Sequence, residues 1–261
     1  MYLDVSAHVG HWPFQKTAAG SCRALLDRMN QYGVERSVVG HMHGIFYKNA
    51  QSANEELYEE IRSDRRFPGR LIPFAVLNPN YAGWKKDLED CRTRMGMKGI
   101  RLYPLYHDYE LLDPGCLELV RMAGECGLPV AIPLRMVDSR SRSWMDVRKE
   151  LALKDLIPLI REVPGARFLL LNVANGIRLK EEELRFFRES KVLLDTSGRN
   201  ISDLGELIGK FGKDKFAFGT HTPILDYATG MLRIESLQHG EADEPAMEML
   251  RSGNARRFLE I

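Results

Sequence analysis

Cysteine is scarce in this chain and forms no pattern. The 261 residues hold four, Cys22, Cys91, Cys116 and Cys126, with neither metal-ligand spacing nor a CxxC. That excludes a disulfide-stapled scaffold and a thiolate zinc cluster. Each lies in a helical pattern beside apolar residues and is expected to be a small buried hydrophobe. An excess of charge is absent as well. Thirty-seven Lys and Arg against 36 Asp and Glu leave a formal +1, so no electrostatic footprint points to nucleic acid or membrane. There is no long apolar segment, no basic n-region and no cleavage signal, because Met1-Tyr2-Leu3-Asp4 enters a strand-like run at once. The expectation is a cytoplasmic protein. Linkers, low-complexity stretches and charge blocks are also missing, so residues 1–261 are expected to form a single domain.

What is present is a regular alternation. With 44% hydrophobic and 28% charged residues the chain can bury a full core. Strand-like runs occur at Tyr2–Val5, Arg36–Gly40, Leu71–Leu77, Gly99–Tyr103, Pro129–Leu134, Arg167–Leu171, Val192–Asp195 and Phe216–Gly219. Between them apolar residues recur at helical spacing. Cys22, Leu25, Leu26 and Met29 form one stripe, ended by Gly33; Trp84, Leu88, Cys91 and Met95 form another, ended by Gly96. Leu204, Leu207, Ile208 and Phe211 form a third, ended by Gly212. Ser52 with Glu55 reads as a capping box, and Asp113 before Pro114 as an N-cap with proline at the first helical position. Strict β-α alternation implies a parallel sheet, and eight units close a (β/α)8 TIM barrel. A doubly wound open sheet is the other solution. It would carry a Gly-rich phosphate turn after its first strand, and Val9-Gly10-His11-Trp12-Pro13 is not one.

Barrel enzymes carry their chemistry at the C-terminal ends of the strands, where the loops share one mouth. His8 and His11 follow the first strand, His41 and His43 the second, His107 the fourth and His221 the eighth; of the seven histidines only His239 lies elsewhere. Imidazole titrates near neutrality, so His8, His221, His41, His43 and His107 are the candidate acid–base groups. Strand parity refines this. Leu3 and Val5 are expected to face the helices, which turns Asp4, Ser6 and His8 towards the axis. In the eighth strand Ala217, Gly219 and His221 face in, and in the fourth Arg101 and Tyr103 do. An inward arginine needs a partner, for which Asp4 is the candidate. Arg135 and Arg140 follow the fifth strand, Arg178 the sixth and Arg199 the seventh. Together with Asn172 and Tyr103 they are candidate contacts for a small anionic, carboxylate-bearing substrate.

Several motifs resemble those of the amidohydrolase-related proteins, barrels that include metal-dependent hydrolases and non-oxidative decarboxylases. They are Asp4-Val5-Ser6-Ala7-His8-Val9-Gly10-His11-Trp12-Pro13-Phe14, Met97-Lys98-Gly99-Ile100-Arg101-Leu102-Tyr103-Pro104, Phe218-Gly219-Thr220-His221-Thr222-Pro223 and Gly253-Asn254-Ala255-Arg256-Arg257. The resemblance implies an amidohydrolase-like barrel with a divalent metal, such as zinc, that activates water. It also implies ligands that this chain has largely lost. Ser6 stands at the first histidine of the Asp-x-His-x-His pattern and His8 survives. The fifth strand, Val130-Ala131-Ile132-Pro133-Leu134-Arg135, has no histidine, Asn172 occupies the sixth-strand position and His221 replaces the aspartate of the eighth. If a metal binds, His8 and His221 are its expected ligands, but no cofactor is the expectation. Two functions are in play. One is hydrolysis or decarboxylation of a small carboxylated molecule by histidine acid–base chemistry. The other is a catalytically silent barrel that binds a small anion or a partner protein. The retained histidines favour the first, and the missing ligands favour the second. Assembly into a homo-oligomer is left open.

Overall fold

The computed structural model describes residues 1–18, 20–140, 142–173, 178–198 and 203–261. Parallel strands alternate with helices from end to end, as the apolar patterning predicts. The strands are Tyr2–Val9, Val34–His41, a third in two pieces (Leu71–Pro73 and Ala75–Val76), Ile100–Arg101, Val130–Pro133, Phe168–Leu171, Val192–Asp195 and Phe216–Ala217. Hydrogen bonding runs unbroken from the fourth to the eighth. Across the gap in the third, Phe74 N–H donates to the Val39 carbonyl at 2.9 Å and Lys98 N–H to the Pro73 carbonyl at 2.8 Å. The circle closes where Val5 N–H donates to Phe218 O at 3.0 Å and His8 N–H to Thr222 O at 2.8 Å. Eight strands joined this way make the (β/α)8 barrel.

The predicted stripes lie on the helices facing this barrel. Helix α1 (Cys22–Gln31) buries Cys22, Leu25, Leu26 and Met29, and the Ser21 side chain caps it by accepting the Ala24 N–H. In α2 (Ala50–Arg62) the cap is not Ser52. Asn49 performs it, accepting the Gln51 N–H at 3.1 Å, because an asparagine upstream serves as well as a serine and lets Ala50 and Gln51 bury in the first turn. Cys22, Cys91 and Cys116 are buried as expected. Cys126 is exposed, since it follows the last residue of the helix Pro114–Glu125 and leaves the apolar stripe there. No helix among the described residues is long and apolar enough to cross a membrane.

The parity expected for the first strand is overturned in its lower half. Asp4 pairs with Ser37 and Ala7 with Val39, so two residues, Val5 and Ser6, stand opposite Val38 alone. This is a β-bulge, and it shifts the alternation by one residue. Below it Leu3 and Val5 face the axis, packed with Val38, Ile72, Phe74 and Leu169 as an apolar floor; Ala255, Phe258 and Leu259 of the C-terminal helix plug it. Asp4 therefore points outward. Its carboxylate accepts the Thr220 N–H at 3.0 Å and the Thr220 hydroxyl at 2.6 Å, beneath Tyr227. Burial pushes its pKa up to about 6 against the opposing hydrogen bonds. Above the bulge Ala7 and Val9 face the helices and His8 faces in, as the sequence reading had it.

Candidate active site

Two histidine pairs crown the barrel. The axial pair is His8 and His221, both fully buried, with ring centroids 4.9 Å apart and planes at 78°. His8 is carried inward beside its ladder partner Gly40. Glycine is required there, because a Cβ would lie 2.7 Å from Arg101 Cδ and 2.9 Å from its Nε. The Arg101 side chain thus lies across Gly40 on the inner face. Its Nη2 donates to the carbonyls of Ala7 (2.9 Å) and Val38 (3.2 Å). Its Nε and Nη1 have no hydrogen-bond partner among the described residues, and neither has either ring nitrogen of His8. The expected Asp4–Arg101 pair does not form, because the bulge turns Asp4 to the other face of the strand.

His221 sits at φ +58° between Thr220 and a cis Thr222–Pro223 bond. Its Nε2 lies 2.8 Å from the Met136 carbonyl, which only an N–H satisfies, so Nδ1 carries the lone pair facing the Ser6 hydroxyl at 3.5 Å. Burial lowers its pKa to about 3, with the charges of Arg101, Arg135 and Arg233 adding to the effect and the Met136 bond opposing it. Burial, Arg101 and His221 likewise hold His8 well below the usual imidazole range. Both rings are neutral near pH 7. His221 faces inward as expected and is completely buried rather than open at the mouth.

The rim pair is His41 and His43, with centroids 4.5 Å apart. Glu56, from α2, binds them: its Oε2 lies 2.8 Å from His43 Nδ1 and 3.7 Å from His41 Nε2, and its Oε1 accepts the Tyr47 hydroxyl at 3.0 Å. Backbone N–H groups fix the tautomers. His11 N–H donates to His43 Nε2 at 3.1 Å and His43 N–H to His41 Nδ1 at 3.3 Å, so both rings turn a protonated nitrogen to the carboxylate. His43 Nδ1, His41 Nε2 and a Glu56 oxygen lie within 4.8 Å of one another, a spacing that suits a cation, but those tautomers point donors at the centre. Burial lowers the His41 pKa to about 4, with His43 adding to it and Glu56 opposing. Glu56 and Tyr47 were not singled out from the sequence, although Glu56 shares the turn of α2 that follows the capping position.

His107 joins neither pair. It is buried and its Nε2 reaches the Gly44 carbonyl at 3.0 Å, tying one mouth loop to another. The arginines do not converge as free cations. Arg135 is taken up by Asp138 (3.1 Å), Glu150 (3.7 Å) and the Gly198 carbonyl (3.0 Å), and exposed Arg140 by Asp138 at 2.8 Å. Arg178 is exposed, and Arg199 lies outside the described residues. The buried Asn172, at φ +49°, donates to the carbonyls of Arg135 (3.0 Å) and Met136 (3.2 Å), which makes it a brace for the same loop that holds His221. Tyr103 is buried with Trp12, Met42, Ile45, Val76 and Met136 in an apolar cluster that covers the mouth.

These residues do not fit the divalent metal that the resemblance implies. Ser6 offers a hydroxyl, the Asn172 amide is engaged with backbone carbonyls, and His221 has its Nε2 on Met136. Of these four residues His8 alone has ring nitrogens outside any well-formed hydrogen bond, and it stands beside the Arg101 guanidinium, whose charge opposes a second cation.

A family model described as Amidohydrolase matches residues 25–261. No curated protein matches the sequence. Among solved structures the chain is similar to a 2,6-dihydroxybenzoate decarboxylase from Rhizobium, at 16% identity and a TM-score of 0.76, over 99% of this chain and 98% of that one. It is similar to a dihydroxybenzoic acid decarboxylase from Polaromonas sp. JS666 with bound manganese and 2-nitroresorcinol, at 14% identity and a TM-score of 0.74, over 99% and 96%. A 5-carboxyvanillate decarboxylase from Sphingomonas paucimobilis follows at 16% identity and 0.71, over 100% and 99%. At such identities the likeness establishes the barrel fold.

Proposed function

This chain belongs to the amidohydrolase family, and from that premise we propose that it cleaves a small carboxylated molecule at the axial histidine pair, by hydrolysis or by non-oxidative decarboxylation. The observation that carries the reading is His8: an imidazole at the C-terminal end of a barrel strand, fully buried on the inner face, with neither ring nitrogen in a well-formed hydrogen bond and the Thr222 backbone beside it. A neutral imidazole in that position is a base. In hydrolysis it takes a proton from water as the water oxygen adds to the carbonyl carbon, and returns it to the leaving group as the bond between that group and the carbonyl carbon breaks. In decarboxylation the bond to the carboxylate carbon breaks, its electron pair stays on the substrate carbon, CO2 leaves and a proton is delivered there. His8 serves that step only after the substrate's negative charge has raised its proton affinity. His221, held by Met136 and Ser6, positions the edge of the site.

A silent barrel is the second reading. It is favoured by the apolar cover over the mouth and by the engagement of Arg135 and Arg140 with acids. A panel of aromatic and aliphatic carboxylates and lactones, screened first for thermal stabilisation and then for CO2 or acid release, separates the two. Turnover that falls roughly a hundredfold in His8→Gln supports the enzyme. Ligands that stabilise the fold without being converted support the silent barrel.

A further inference from the structure

A guanidinium enclosed in protein normally meets a carboxylate, because leaving a buried cation unpaired costs several kcal/mol. Arg101 is fully buried, forms no ion pair among the described residues, and leaves Nε and Nη1 without an acceptor. The fold nevertheless commits to it. Two backbone carbonyls take Nη2, and Gly40 gives up its side chain to make the bed. The unpartnered atoms cluster. His8 stands beside Arg101 with neither ring nitrogen in a well-formed hydrogen bond, and the Tyr103 hydroxyl lies against the guanidinium, its nearest donor, without a bond of good geometry. These donors surround the position where the family resemblance expects a divalent cation.

We propose that the centre has been inverted in charge: Arg101, with His8 and Tyr103, forms a receptor for a monocarboxylate, so that a fixed guanidinium holds the anionic ligand where relatives in the family are expected to use a metal. The carboxylate oxygens accept from Nε and Nη1, and the neutral His8 and the Tyr103 hydroxyl supply the remaining donors. This completes the hydrogen bonding of the buried cation and needs no divalent ion. The inference shares the site of the proposed reaction, but its test reads binding alone. Lost turnover with intact binding would count against the reaction, and turnover without carboxylate binding would count against the receptor.

The experiment uses the full chain after chelator treatment, with formate, acetate and benzoate as probes and chloride as a reference anion. In wild type the melting temperature should rise with carboxylate concentration, as expected when a ligand binds only the folded form. Arg101→Met should abolish that rise. Arg101→Lys, which keeps the charge but not the planar fork, should weaken apparent affinity by about tenfold or more. Should Arg101→Met fail to fold, 15N NMR of wild type gives a second reading: carboxylate should shift the His8 ring signals as its N–H gains an acceptor and leave those of exposed His239 in place. No carboxylate response in chelator-treated wild type overturns the proposal. So does an undiminished response in Arg101→Met, or a response that appears only with added divalent metal.

Discussion

His8 with His221 and His41 with His43 are nearly the same object taken alone, two imidazoles edge to face at 4.9 and 4.5 Å. Their surroundings make them opposites. The axial pair is fully buried, has a guanidinium for a neighbour and, among the described residues, has no carboxylate bound to either ring. The rim pair encloses a carboxylate, with His43 and Glu56 part-exposed and a tyrosine hydroxyl completing the cage. The axial groups therefore invite negative charge that the protein does not supply, whereas the rim has supplied its own. Counting histidines at a barrel mouth cannot separate these cases; only their neighbours can.

Acid should expose the difference on the largest scale. The folded pKa of His221 lies at about 3, and that of His8 is also depressed, below an unfolded value of about 6.5. The unfolded chain thus binds protons first, and stability present above about pH 6.5 is lost as pH falls below it, by about 1.4 kcal/mol per pH unit for each ring. Asp4 works the other way: its pKa, raised to about 6, gives back stability as pH falls from there towards the ordinary carboxylate value. Urea unfolding between pH 7 and 5 should show this net slope, and His8→Gln combined with His221→Asn should flatten it. A slope unchanged in the double variant would mean that the axial rings are not held neutral.

Single substitutions should follow the same ranking. His221→Ala removes the shorter of the two hydrogen bonds to the buried Met136 carbonyl, leaving that from Asn172, and places alanine at positive φ, with an expected loss of about 2–3 kcal/mol. His221→Asn should lose less, since asparagine tolerates that conformation. Equal losses in the two would show that backbone geometry contributes nothing. Gly40→Ala crowds Arg101, and about 2 kcal/mol should go with it, together with any carboxylate-dependent rise in melting temperature. Retention of that rise would detach Gly40 from the axial group.

The rim should respond least. Burial raises the Glu56 pKa, but hydrogen bonds from His43 and Tyr47 outweigh it and hold the group below its ordinary value. Its contribution is therefore present above about pH 4.5 and lost as pH falls through the folded value. Part-exposed and screened, the pair is worth about 0.5–1 kcal/mol, which Glu56→Gln should remove at pH 7 with little dependence on added carboxylate. A loss as large as that of His221→Ala would erase the distinction between the two regions.

The barrel was legible because its signals are local. The Cys22, Trp84 and Leu204 stripes, their terminal glycines and the β-branched runs each lie within one element. In the fourth and eighth strands parity alone placed Arg101, Tyr103 and His221 on the inner side. The partners were not legible. Arg135 meets Glu150 across a loop, Glu56 reaches back from a helix, and Asn172 grips the Met136 carbonyl, none of which is encoded by spacing. The first strand misled for a different reason. Tyr2–Val9 is buried on both faces apart from its first residue, so hydrophobicity carries no phase there to reveal an added residue.

That added residue bears on how the centre can change over time. Val5 and Ser6 together oppose Val38, so one of them is supernumerary to the ladder, and the alternation on either side is indifferent to which side chain position 6 carries. A substitution at position 6 can therefore alter what the axial histidines meet without moving the apolar floor below or His8 above. In that sense the strand isolates one chemically exposed position from the mechanics of the barrel. Serine where the family resemblance leads one to expect a metal-binding histidine is the kind of difference such an arrangement accommodates while the fold stays intact.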